Sequence, residues 1–234
     1  MTTKLLLLPG LLCDAEVWAP QIAALPAVCT VAEYGDARSI GAMAEAALAA
    51  APPGALAVAG HSMGGRVAFE ICRRAPERVQ RLALLNTGCQ ALPEGAAGEQ
   101  ERTGRMRFLD IARRDGMRAM AHEWVLGTVH ESRRPGPVVD TVVEMFARRT
   151  PELFEAQIQA LLERPDYSAL LPEIGCTTLL LTGSDDRLTP PDGHAEMRKR
   201  IADASHVVIG RCGHMATLES PAAVNAALGA WLAA

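Results

Sequence analysis

Ser62 stands in the stretch VAGHSMGGRVAFE, with Gly60 two positions before it and Gly64 and Gly65 just after. Glycine tolerates close backbone approach, so three glycines around one hydroxyl point to a turn that presents that hydroxyl. A serine is a poor nucleophile until a base takes its proton, and the base needs an acid to fix its tautomer. The chemistry on offer is therefore acyl transfer, provided that the rest of the chain supplies a histidine and a carboxylate. Of six histidines, His214 lies in a glycine-flanked loop after an apolar run, VVIGRCGHMATLESP. His61 adjoins Ser62 and its side chain must leave the turn in another direction, which suits packing. His122 and His130 fall in a helical stretch, His194 early in a helix and His206 at the start of a strand. The carboxylate can come from Asp185 or Asp186, in LLLTGSDDRLTPP.

These residues need elements that bring them to one place. Short apolar runs at 4–8, 27–33, 55–59, 81–85, 177–182 and 205–209 read as strands. Helical patterns at 39–51, 63–74, 191–202 and 221–233 alternate with them. Strands that are apolar throughout, with helices between, predict a doubly wound, mostly parallel α/β sheet covered on both faces. Open sheets of this kind bind their ligands at the carboxyl ends of the strands. Ser62, the aspartates and His214 each follow a strand, so all are expected at that edge. The middle of the chain offers only helices, at 99–114, 116–125, 137–148 and 152–163, broken by the turn-rich HESRRPGPVV. The expected organisation is a core of residues 1–90 and 173–234 with a helical cap at 91–172. Arginines are numerous in the cap, but acids are interspersed, so most belong to a solvated face and no single one can be assigned to a substrate.

A net charge of −4 gives no electrostatic case for nucleic acid. No apolar run approaches the ~20 residues that cross a bilayer. The opening MTTKLLLLPGLLC is broken by Pro9-Gly10 and lacks small residues before Cys13, so it reads as a strand and loop rather than a signal peptide, which points to the cytoplasm. Six cysteines are scattered without a C-x-x-C pair and are expected to be reduced and buried. Cys212 lies two residues from His214, but packing is expected of it as of the others.

Gly60-His61-Ser62-Met63-Gly64-Gly65 resembles the nucleophile elbow of α/β-hydrolase-fold serine hydrolases of the capped, esterase-like branch. PERVQRLALLNT, LTGSDDRLTPP and GRCGHMATLESP resemble that family's post-elbow strand, acid loop and histidine loop, so the likeness covers nearly the whole chain. It implies a sheet without the family's usual first two strands, since the strand before the oxyanion loop starts at residue 4. The family spacing Gly-x-x-Asp-x-x-x-Pro fits Gly183, Asp186 and Pro190, which selects Asp186 over Asp185. The resemblance thus implies catalysis by Ser62, His214 and Asp186, with the oxyanion hole at the N–H groups of Leu11 and Met63. Pro9-Gly10 stands where the family has His-Gly, which leaves those backbone donors in place. Leu12 and Trp18, just past that loop, are candidates for the pocket wall, Trp18 equally for the core. The implied reaction takes a small-molecule ester of small-to-medium acyl size and uses no metal or organic cofactor. The alternatives are a carbon–carbon bond hydrolase or lyase with the same residues, or a non-catalytic ligand-binding receptor.

Overall fold

The computed structural model describes residues 3–134 and 136–234. In chain order it runs β1 (Thr3–Leu8), α1 (Ala19–Ala24), β2 (Ala27–Val31), α2 (Ile40–Ala50), β3 (Leu56–His61), α3 (Met63–Arg74) and β4 (Val79–Leu85). Then follow α4 (Ala96–Asp115), α5 (Met117–Thr128), α6 (Pro137–Ala147) and α7 (Pro151–Leu162). The chain closes with β5 (Thr177–Gly183), α8 (Pro191–Arg200), β6 (Ala204–Ile209), α9 (Ala216–Glu219) and α10 (Pro221–Ala233).

Among the described residues the strands form one six-stranded sheet, all parallel, in the order β2-β1-β3-β4-β5-β6. Consecutive residues of a strand face opposite sides. Every residue of β3 is buried, as are Leu5 to Leu8 of β1, so both faces are covered. That is why these strands are apolar throughout rather than alternating. The edge strands β2 and β6 are only half-buried, and Val28 and Val208 are exposed there.

The strand order explains where a site can form. From β1 the chain moves outward to β2, then returns to place β3 on the other side of β1. The loops leaving β1 and β3 therefore diverge, opening a crevice at their carboxyl ends. The β1 loop carries Leu11, and the β3 loop carries Ser62.

The turn from β3 into α3 is made possible by space. A Cβ on Gly60 would overlap the Gly64 carbonyl, and one on Gly64 would overlap the Leu8 carbonyl. The positive φ falls on Ser62 itself (φ 55°, ψ −116°) rather than on the glycines. Local strain of this kind persists only where the surroundings impose it. Here the Ser62 N–H is tied to the Leu85 carbonyl and its own carbonyl accepts from Thr87 Oγ1.

Between β4 and β5 the chain is helical, α4 packing on α5 and α7, and α5 on α6. Their boundaries lie within three residues of those expected from the apolar spacing. The short helices α1 and α9 had no counterpart in the sequence reading, because four to six residues are too few to show a period.

Candidate active site

Ser62, His214 and Asp186 meet at the carboxyl edge of the sheet. Ser62 Oγ lies 2.9 Å from His214 Nε2, and His214 Nδ1 lies 2.9 Å from Asp186 Oδ2. The carboxylate can only accept at Nδ1, which puts the proton there and leaves Nε2 free to take the serine's. Asp186 follows β5 and is held from several sides. Its Oδ1 accepts from the N–H groups of Leu188 and Thr189, and its Oδ2 from Thr189 Oγ1 and Asn86 Nδ2. Burial by itself would raise its pKa, but His214, Thr189 and Asn86 outweigh that and hold it well below the usual carboxylate range. Asp185 points outward, its side chain 48% exposed and accepting from Ser184 Oγ.

The histidine loop has its own supports. Glu219, buried in α9, accepts from the N–H groups of Gly213 and Met215 on either side of His214, and from the N–H of His130. The His214 N–H itself donates to the Thr128 carbonyl at the end of α5. His61 Nε2 lies 2.8 Å from the His214 carbonyl, which only accepts, so His61 carries its proton on Nε2. Burial, then the neighbouring His214, push the His61 pKa down to about 4, so it stays a neutral donor near pH 7.

Ser62 and His214 open into a cavity of about 370 Å³. Leu11 and Met63 line it beside Ser62, Phe108, Trp124 and Leu161 supply apolar wall, and Arg66, Arg105 and Arg164 a cationic one. Neither the Leu11 nor the Met63 N–H donates to a protein group among the described residues. A larger cavity, about 750 Å³, lies at the amino ends of β4 and β5, far from these residues in the fold. Size alone would choose it, but it holds neither Ser62 nor His214.

The model of the alpha/beta hydrolase fold family matches residues 26–221, most of the chain. The chain belongs to that family. Among curated proteins, a pimeloyl-(acyl-carrier protein) methyl ester esterase of Nitrosomonas europaea is 28% identical over 173 residues, 72% of this chain and 68% of that protein. A 2-hydroxy-6-oxononadienedioate/2-hydroxy-6-oxononatrienedioate hydrolase of Cupriavidus pinatubonensis is 30% identical over 176 residues, 72% of this chain and 58% of that one. Among solved structures, a thermophilic esterase from Thermogutta terrifontis, with malate bound, superposes with a TM-score of 0.85 and 29% identity, over 99% of this chain and 91% of that one.

Within this alpha/beta hydrolase Leu12 leaves the pocket wall expected of it, and Trp18 takes the core place of the two open to it. Leu12 and Trp18 are fully buried in the core, and neither lines the cavity. Leu12 sits at φ 60°, with its N–H donating to Gln157 Oε1 of α7 at 2.7 Å, so the loop is pinned with this side chain inside. Trp18 packs edge-on against His61, ring centroids 6.5 Å apart, and so backs the histidine that holds His214. The wall role passes to Trp124 of α5, 6.4 Å from the His214 ring. Cys212 is sealed in the core and its thiol is pushed up to about 12 by burial and by Glu219, which makes it a packing group. All six cysteines are free. His194 is buried and stacked on His206, its Nε2 accepting from the Thr87 N–H, and burial pushes its pKa down to about 4. No helix of the described residues is long and apolar enough to cross a membrane.

Asn86 was not singled out in the sequence. It follows β4 at φ 48° and joins Asp186 to the Gly213 carbonyl through Nδ2, tying acid loop to histidine loop. Its only trace is an asparagine at the end of an apolar run, a residue type that tolerates the left-handed region.

Proposed function

We propose that the protein is a serine hydrolase of carboxylic esters that works through an acyl-enzyme on Ser62. The observation that carries this is the continuous hydrogen-bond chain from Ser62 Oγ through His214 to Asp186, opening into a cavity beside two N–H groups without a protein acceptor among the described residues. The alpha/beta hydrolase family, the esterase relative and the esterase structure make this a hydrolase acting on ester bonds. Ser62 attacks the ester carbonyl as His214 Nε2 takes its proton, and Asp186 stabilises the imidazolium so formed. The Leu11 and Met63 N–H groups hold the oxyanion, at roughly 3 kcal/mol of transition-state stabilisation each. His214 then protonates the departing alcohol, and water repeats the sequence on the acyl-enzyme to release the acid. None of these steps draws on a metal or organic cofactor.

In this reading α4–α7 form a cap, and Phe108, Trp124 and Leu161 exclude water from the acyl group. A cavity of this size favours short-to-medium acyl chains. With 4-nitrophenyl esters of rising length, kcat/KM should peak in that range and fall by about tenfold or more for chains that overfill the site. A steady rise out to long, lipase-type chains would contradict the roofed pocket. Carbon–carbon bond hydrolysis with the same three residues stands second, supported by the Cupriavidus pinatubonensis relative. Failure to turn over any aryl ester while Ser62 remains reactive would favour it.

A further inference from the structure

Arg66 lies one helical turn beyond Ser62 on α3, so the two stand on the same side of the helix. Its Nη1 donates to the Gln90 carbonyl at 2.7 Å, and among the described residues no carboxylate pairs with it. Two more guanidiniums share its wall of the cavity. Arg105 of α4 and Arg164, just past α7, both bind one acid, Glu101. The Arg105 contacts are 3.0 and 2.8 Å and the Arg164 contacts 2.6 and 2.8 Å. Three cations against one anion leave this wall with an excess of two positive charges.

That excess is unfavourable as it stands. Burial, then Arg164 and Arg105, push the Arg66 pKa down to about 9. Arginine nonetheless stays protonated near neutral pH, so an anion held at this wall would relieve its repulsion. The planar fork of a guanidinium matches a carboxylate in two parallel hydrogen bonds. Phe108 and Trp124 give the same cavity an apolar stretch that suits methylenes. The lining is exposed at Arg187 and Leu188, beside the acid loop, and at Gln100 and Gly104 of α4, beside Arg105. With the alcohol departing past Arg187 and Leu188, the acyl half reaches the cationic wall.

We propose that the substrate is a half-ester of a short dicarboxylic acid, its free carboxylate held by Arg66 on the wall shared with Arg105 and Arg164 while Ser62 attacks the ester carbonyl. The proposal rests on ester hydrolysis at Ser62. It is tested with two esters of the same shape and leaving group: mono-4-nitrophenyl adipate, and 4-nitrophenyl 6-methylheptanoate, in which an isopropyl group replaces the carboxylate. The wild-type protein should prefer the adipate in kcat/KM by on the order of ten- to a hundredfold, the range of hydrogen bonds to charged groups. In Arg66→Met, which keeps the length of the stem, the ratio of the two values should fall to about one or below. General damage to the variant cancels in that ratio, and the wild-type comparison stands without it. Equal turnover of both esters by the wild type would overturn the proposal and leave ester hydrolysis intact. If neither ester is cleaved, the ester reading fails and the proposal with it. Competitive inhibition by inorganic phosphate but not by adipate would overturn the choice of a carboxylate.

Discussion

Replacing Ser62 with alanine should abolish ester turnover, with kcat falling on the order of 10⁶-fold. The serine hydroxyl bonds His214 and nothing else among the described residues, so its loss removes the nucleophile without unpairing a structural group. The backbone bonds that impose the turn, from Ser62 N–H to Leu85 and from Thr87 to the Ser62 carbonyl, do not involve the hydroxyl. Folding should therefore be unchanged, which circular dichroism and thermal melting can check. His214→Ala should be comparably severe, because nucleophile and base act as a unit and removing either one forfeits most of the effect. Purified Ser62→Ala protein that keeps more than a few per cent of activity would show that another group does the chemistry.

Asp186→Asn should lower kcat by roughly 10⁴ through the wrong tautomer of His214. The hydrogen bonds around Asp186 say why an isosteric amide cannot serve. Its Oδ1 accepts from two backbone N–H groups, of Leu188 and Thr189, which cannot become acceptors. The asparagine oxygen must take that side, and its NH₂ must face His214 Nδ1. The imidazole then accepts at Nδ1, carries its proton on Nε2, and donates toward Ser62 instead of taking its proton. Asp185→Asn should change kcat by less than about tenfold, since the exposed Asp185 carboxylate bonds only the neighbouring Ser184 hydroxyl closely and stabilises nothing at the site. The two variants are assayed side by side near neutral pH, and a crippled Asp185→Asn would reverse the assignment.

The residues of this chain differ in how openly they declare their place. Ser62, Asp186 and His214 are legible because each follows an apolar strand, and a parallel sheet brings all such loops to one edge. The glycines around Ser62 are legible for the same reason, although their purpose proves to be space and the positive φ belongs to the serine. Leu12 was misplaced and Trp18 left undecided because nearness in sequence to the β1 loop says nothing about the side on which each side chain lies. The bond that the Leu12 N–H donates to Gln157, 145 positions away, decides that for Leu12. Arg66 was hidden in the same way. Along the chain it is one cation among many, and its lack of a carboxylate partner depends on where α4 and α7 place Arg105, Arg164 and Glu101. Trp124 and Glu219 likewise act on His214 from elements whose packing no local pattern specifies.

Ser62 as the one activated nucleophile is the claim on which all else depends. A fluorophosphonate probe tests it directly, because it reacts with a serine only where a base has activated the hydroxyl. One equivalent should attach to the folded protein, on the tryptic peptide 39–66, with the modified residue sequenced as Ser62. Prior denaturation should prevent it. Label on any other residue, or none on folded protein, would contradict the assignment of Ser62 as nucleophile.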